Sequence, residues 1–188
     1  LGGERRKVSV IFADIVGFTK LSEQRNPEQI VTLLNELFTF YTEIIFKHGG
    51  IIDKFIGDCV MAVFGAPYGD EDDAISAVAA AEEMRRWLEV GNARWKKELG
   101  ISLEIGVGIH TGEAIAGNIG SQKRMEYTVI GDTINIAAHI ESIARPGQIL
   151  MTAETFAEIK DEFDCVSLGY HAIKGHRKPI EIFALSEE

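Results

Sequence analysis

Disulfide chemistry has almost no material in this chain. Two cysteines, Cys59 and Cys165, among 188 residues are too few for a stapled framework and point to a reducing compartment, with Cys59 reading as a small buried residue in an apolar strand. Long apolar runs are missing as well. Without about eighteen consecutive apolar residues, this stretch does not span a membrane and no membrane contact is expected of it. Positive charge is scarce: 19 Lys and Arg against 29 Asp and Glu leave a formal net charge of −10. A partner with a phosphate backbone needs a basic face, so no nucleic acid is expected. Arg5-Arg6-Lys7 reads as a solvated lead-in. Repeats, low-complexity tracts and proline-rich linkers are absent, so 1–188 is expected to be one domain, with 1–6 leading in from an upstream region. The chain begins at Leu1 rather than methionine and is expected to be a piece of a longer, cytoplasmic or membrane-anchored protein, with an upstream sensor or regulatory domain.

What is present is a 46% hydrophobic sequence in which strand and helix periods alternate. The expected order is a strand at 7–14, helices at 18–24 and 27–48, a strand, hairpin and strand over 50–64, a helix at 70–98, strands at 101–110 and 124–130, and a helix at 132–144. A strand, a helix and further strands follow. Ile30, Leu33, Leu34, Leu37, Phe38, Tyr41, Ile44 and Ile45 recur at helical spacing; Pro27 suits a first turn and Gly49-Gly50 stops the helix. Strands and helices around a central hairpin predict an α+β fold with a sheet covered by helices on one face.

Two aspartates stand at strand ends. Asp14 closes the run Val8-Ser9-Val10-Ile11-Phe12-Ala13, and Asp58 lies in the two-residue connection Gly57-Asp58 between Ile51–Ile56 and Cys59–Phe64, a tight-hairpin pattern. Such a pair can share metal ions: carboxylates a few Å apart repel unless cations hold them, and hard divalent ions with a nucleotide phosphate meet that need. After Asp14, Ile15-Val16-Gly17-Phe18-Thr19 turns into a helix, and its free N–H groups with Gly17 make a seat for phosphate. Together with Lys54 and with Glu126-Tyr127-Thr128-Val129-Ile130-Gly131-Asp132-Thr133-Ile134-Asn135, these residues resemble the catalytic domain of class III nucleotidyl cyclases, over about Arg5 to Leu185.

That resemblance implies a ferredoxin-like β-α-β-β-α-β core with extra C-terminal strands and a helix, and conversion of ATP to 3′,5′-cyclic AMP and pyrophosphate. It implies two Mg²⁺ (or Mn²⁺) ions held by Asp14, Ile15 and Asp58, with Ile15, Gly17, Phe18 and Thr19 along the phosphates. In similar cyclases the position of Lys54 reads the base, lysine donating to an adenine ring nitrogen where guanylyl cyclases carry glutamate, and Thr128 falls on its partner position. A lysine donor beside a hydroxyl that accepts from the adenine amino group fits ATP. Asn135 matches the asparagine that orients the ribose. One helical turn on, His139 stands where active relatives have an arginine that meets charge on the α-phosphate, and neutral imidazole offers one donor where guanidinium offers five. Lys174, with Lys123 or Arg124, matches contacts to the terminal phosphates. The resemblance also implies a homodimer with two sites at its interface, Asp14 and Asp58 of one subunit facing Lys54, Thr128, Asn135, His139 and Lys174 of the other.

Two other readings stay open on these residues. One is a catalytically silent regulatory domain that needs an arginine-bearing partner, prompted by His139. The other is a polymerase-palm relative such as a diguanylate cyclase, disfavoured because Cys59-Val60 follows Gly57-Asp58 where an acidic continuation is needed. The glycines at 106, 108, 112, 117 and 120 lack the strand-to-helix context of a dinucleotide fingerprint.

Overall fold

Apolar residues on both faces of one strand organise the molecule. In the computed structural model, which describes residues 2–187, β1 (Glu4–Ile15) is buried on both faces from Val8 to Ala13. The termini of the expected domain, Leu1 and Glu188, lie outside the described residues. Ile11, Ala13 and Ile15 join one core cluster while Val8, Val10 and Phe12 join another, as period-2 alternation requires of a strand covered on both sides.

The elements that follow are α1 (Phe18–Gln24), α2 (Pro27–Lys47), β2 (Ile51–Ile56), β3 (Cys59–Phe64), α3 (Asp73–Leu99), β4 (Ile105–Ser121), β5 (Arg124–Ile130), α4 (Asp132–Ile143), β6 (Ile149–Thr152), α5 (Ala153–Ile159), β7 (Cys165–His171) and β8 (Ile180–Leu185). The sheet runs β2-β3-β1-β4-β6-β8-β7, with β5 paired to the far half of β4. All pairings are antiparallel except β4 with β6. The segment β1-α2-β2-β3-α3-β4 is the ferredoxin-like core in its 2-3-1-4 strand order. Asn26 starts α2, its side chain accepting from Glu28 N–H at 2.9 Å ahead of Pro27, a cap worth about 1 kcal/mol. Gly100 ends α3 at φ 66, a left-handed value natural to glycine.

Four features differ from expectation. Helices cover both faces: α2 and α3 pack on the face of Ile11 and Ala13, while Ala137 of α4 packs with Val10 and Phe12 on the other. The strand expected at 101–110 begins at Ile105 and continues to Ser121. Before it, the Asn92 side chain bonds both backbone groups of Leu103, at 2.7 and 2.8 Å, and so replaces a strand neighbour. The length of β4 gives the N-terminal end of β1 a partner, so Arg5 and Arg6 pair with Ile115 and Ala114 within the sheet rather than leading into it, the Arg5 and Lys7 side chains staying solvated while Arg6 Nε donates to Gly65 O at 2.8 Å. Finally, α3 starts at Asp73, because Asp70 and Asp72 form a turn closed by Asp72 N–H to Asp70 Oδ1 at 2.8 Å. No described helix is long and apolar enough to cross a membrane.

Candidate active site

The end of β1 carries the first cluster. Antiparallel pairing sets Ala13 against Val60, and the same register carried two places on brings Asp58 opposite Ile15. Ile15 N–H donates to Asp58 Oδ2 at 3.0 Å, fixing that carboxylate beside Asp14. Gly57 makes the turn with φ 61, a conformation costly for any residue with a Cβ. Burial chiefly holds the Asp58 carboxyl above its ordinary value, with the Asp14 charge adding and the Ile15 N–H opposing. Glu141 of α4, unmarked in the sequence reading, completes the cluster. Burial, then a hydrogen bond with the Asp14 carboxyl and the charges of Asp14 and Asp58, hold the Glu141 carboxyl above its ordinary value. Cys59 is pushed up to about 12 by burial and then by Glu141, Asp14 and Asp58, which leaves its thiol inert.

This carboxylate pair suits a hard divalent cation. Among the described residues, no lysine, arginine or histidine forms an ion pair with Asp14 or Asp58, and no group of three His, Cys, Asp or Glu is arranged to hold a metal alone. Two uncompensated carboxylates fit Mg²⁺ or Mn²⁺, which take their remaining oxygens from water and phosphate. Beside the pair, Val16 N–H bonds Glu104 O at 2.8 Å, Gly17 turns at φ 70, and α1 opens with Phe18 and Thr19 with no side chain capping its first N–H groups. Ile15 itself is buried.

A second cluster lines a cleft of about 890 Å³ between β2, β5 and the start of α4. Lys54, Thr128, Arg124 and Asn135 line it, with Phe12 and Met61 on its apolar side. An apolar surface with a few converging polar groups suits a heteroaromatic ring. Lys54 Nζ lies 3.1 Å from Glu126 Oε1 and 3.6 Å from Asp53 Oδ1, and its pKa is raised, chiefly by the Glu126 bond. Asp53 was also missed. Its side chain is 1% exposed; Thr128 Oγ1 donates to its Oδ1 and Oδ2 at 2.9 and 2.8 Å, and Val129 N–H to Oδ2 at 3.2 Å. Adjacent residues in a regular strand point to opposite faces, but the register shifts between Ile52 and Lys54, and such a bulge re-aims side chains. The Asp53-Lys54 pair, polar at two successive positions of an apolar strand, was the legible sign of it.

Neither Asp14 nor Asp58 lines that cleft. His139 is half-buried one turn after Asn135, outside the cleft's lining, and its carbonyl accepts from Ser142 Oγ at 2.6 Å. Lys174 is exposed, in a loop tied to the head of α4 by His176 Nε2 and Asp132 Oδ2 at 3.1 Å. Of the candidate residues, Asp14 and Asp58 sit together at the end of β1, Lys54, Thr128, Arg124 and Asn135 line the cleft, and His139 and Lys174 lie outside its lining. The helix α4 that carries Asn135, His139 and Glu141 lies directly on β4 because Gly108 has no side chain: a Cβ there would meet Glu141 N at 2.2 Å.

Comparison with known proteins gives concordant findings. The family described as the adenylate and guanylate cyclase catalytic domain matches residues 3–187. The structure of the adenylyl cyclase CyaB from P. aeruginosa is similar with a TM-score of 0.97 and 40% identity, over 100% of this chain and 97% of that one. The structure of the guanylyl cyclase Cya2 is similar with a TM-score of 0.94 and 39% identity, over 98% of this chain and 94% of that one. Adenylate cyclase 1 of Rhizobium meliloti (strain 1021) is 33% identical over 181 residues, 95% of this chain and 27% of that protein. The chain spans no more than 33% of the length of the curated relatives first matched.

Proposed function

The chain belongs to the adenylate and guanylate cyclase catalytic domain family, and from that premise we propose that it is an adenylyl cyclase, converting ATP to 3′,5′-cyclic AMP and pyrophosphate. Overall likeness does not choose the base, since the adenylyl and guanylyl cyclase structures match at 40% and 39% identity. The observation that carries ATP is the shared cleft of Lys54 and Thr128: an ammonium donates to a ring nitrogen of adenine, and a hydroxyl accepts from its amino group.

In the proposed reaction the ribose 3′-oxygen forms a bond to the α-phosphorus as the bond to the α,β-bridging oxygen breaks, and the 3′ proton leaves to solvent. Asn135 orients the ribose, His139 meets charge on the α-phosphate, and Arg124 and Lys174 face the terminal phosphates. Ile15, Gly17, Phe18 and Thr19 border the phosphates beside the carboxylate pair. Asp14 and Asp58, with Ile15, are the groups that would hold two Mg²⁺ or Mn²⁺ ions, which when bound acidify the 3′-hydroxyl and neutralise phosphate charge. Positioning and charge supply most of the rate, as in other phosphoryl transfers. The arrangement of the carboxylate pair and the cleft supports a head-to-tail homodimer with two sites, and the greater length of the relatives supports a further part of the protein beyond this chain. Exposed Ile56, Ile119 and Ile130, which line the cleft, are apolar surface that such a dimer would cover.

The test is incubation of the purified chain with ATP or GTP, with Mg²⁺ or Mn²⁺, across protein concentrations, the product identified by mass. Cyclic AMP from ATP is expected; cyclic GMP as the main product overturns the base assignment. His139 favours a second reading, a silent regulatory subunit, which no product from either nucleotide would support.

A further inference from the structure

We infer that Asp53, a residue that lies behind the base-reading pair, sets the polarity of the Thr128 hydroxyl and thereby makes the cleft select a 6-amino purine over a 6-oxo purine. The inference rests on reading this cleft as the base site.

A threonine hydroxyl is ambivalent: it has one proton to give and lone pairs to receive with, and free to rotate it accepts an amino group or donates to a carbonyl. By itself Thr128 cannot tell adenine from hypoxanthine or guanine at position 6. Here the hydroxyl is not free. Its proton is shared between the two oxygens of Asp53, at 2.9 and 2.8 Å, and an ionised carboxylate only accepts. With its one proton committed, Thr128 can offer the cleft only lone pairs. Those lone pairs receive an exocyclic amino group and repel an exocyclic oxygen.

The surroundings keep Asp53 in that role. Its side chain is 1% exposed, and its polar partners among the described residues all donate: Thr128, Val129 N–H at 3.2 Å, and the Lys54 ammonium at 3.6 Å. Burying a carboxylate is costly unless donors surround it. The strand bulge between Ile52 and Lys54 delivers the anion and the lysine to neighbouring places, so one local irregularity fixes both reading groups. Lys54 presents a donor to the ring and Thr128 an acceptor to the 6-substituent. Adenine, with an acceptor N1 and a donor amino group, matches both; hypoxanthine and guanine, with N1–H and O6, match neither.

The test uses ATP and inosine triphosphate, which differ at the edge that Lys54 and Thr128 face without the extra 2-amino group of GTP. The ratio of kcat/KM for the two is measured in wild type, Asp53→Asn, Thr128→Val and the double variant; for a chain without turnover the same ratio is taken from dissociation constants. An asparagine amide can donate to Thr128 and turn its proton toward the cleft, while its oxygen still accepts from Val129. Asp53→Asn should lower the preference for ATP by about tenfold or more, because a mismatched buried polar contact is lost. In the Thr128→Val background Asp53→Asn should change it no further. If Asp53→Asn does not fold, Asp53→Glu, whose carboxylate is displaced by one methylene, takes its place with the same expectation. An unchanged ratio in Asp53→Asn alongside a changed one in Thr128→Val overturns the inference and leaves the base site standing. Equal changes in both backgrounds overturn it too, since Asp53 would then act other than through the hydroxyl. An unchanged ratio in Thr128→Val overturns the base-site reading itself, and the inference with it.

Discussion

Among the described residues no cationic side chain pairs with Asp14 or Asp58, which suits a divalent ion as the balancing charge. Removing either carboxylate leaves too few hard oxygen ligands for a divalent ion that already relies on water and phosphate. Asp14→Ala and Asp58→Ala should each reduce cyclic nucleotide formation to background at saturating Mg²⁺ and Mn²⁺. Near-normal turnover in either would move the metal site elsewhere. His139 presents the opposite situation, a place where charge is expected and a weaker donor stands. One preorganised donor at developing charge is worth about 2.7–4 kcal/mol, part of which histidine supplies, so His139→Arg should raise turnover on the order of 10–10³-fold. Equal rates for wild type, His139→Arg and His139→Ala would make His139 an ordinary residue of the helix surface.

At the scale of elements, α4 carries Asn135, His139 and Glu141, and a glycine places it. Gly108→Ala would set a Cβ 2.2 Å from Glu141 N and 2.8 Å from Ala137 O. These are helix backbone atoms that cannot rotate aside, so the substitution should cost about 3 kcal/mol, the upper end for overpacking. It should lower both the melting temperature and turnover, and an unchanged kcat would show that α4 need not lie this close. A second dependence runs from β4 to β6, where His110 Nδ1 sits 2.7 Å from Thr152 Oγ1. Burial holds His110 below its ordinary value, against the opposing charges of Glu154 and Asp132. The unfolded chain therefore takes up a proton near pH 6.5 that the folded chain refuses, so this stability is full above about 6.5 and declines as pH falls toward the folded value. Melting curves between about pH 7.5 and 5.5 should show a smaller loss for His110→Gln than for wild type. Elements differ in how far the sequence betrays them. The Gly57-Asp58 hairpin and the apolar stripe of α2 are local patterns and were legible. The course of β4 to Ser121, the bulge at Asp53 and the contact of Glu141 with Asp14 depend on what lies across the sheet. The family resemblance therefore pointed to Lys54, Thr128 and Asn135 but not to Asp53 and Glu141, whose places depend on those cross-sheet contacts.

For the whole molecule, the cleft is lined by Lys54, Thr128 and Asn135 without Asp14 or Asp58. A two-fold dimer joins the two if each site takes its carboxylates from one subunit and its cleft from the other. Its specific activity should fall on dilution. A sharper consequence concerns mixing. A chain with Asp58→Ala keeps a sound cleft, and a chain with Asn135→Ala keeps a sound carboxylate pair; each alone forms dimers in which both sites are broken. Combined in equal amounts, half the dimers are mixed, and each mixed dimer holds one site with all native groups and one site with both defects. The mixture should therefore recover about one quarter of the wild-type activity per chain, if subunits exchange freely and the sites work independently. Recovery is measured as cyclic AMP formed after co-refolding or co-expression of the two variants. If instead both halves of a site came from one chain, no arrangement of these variants would contain an intact one. Activity at the level of the separate variants would then replace the interface site with an intramolecular one.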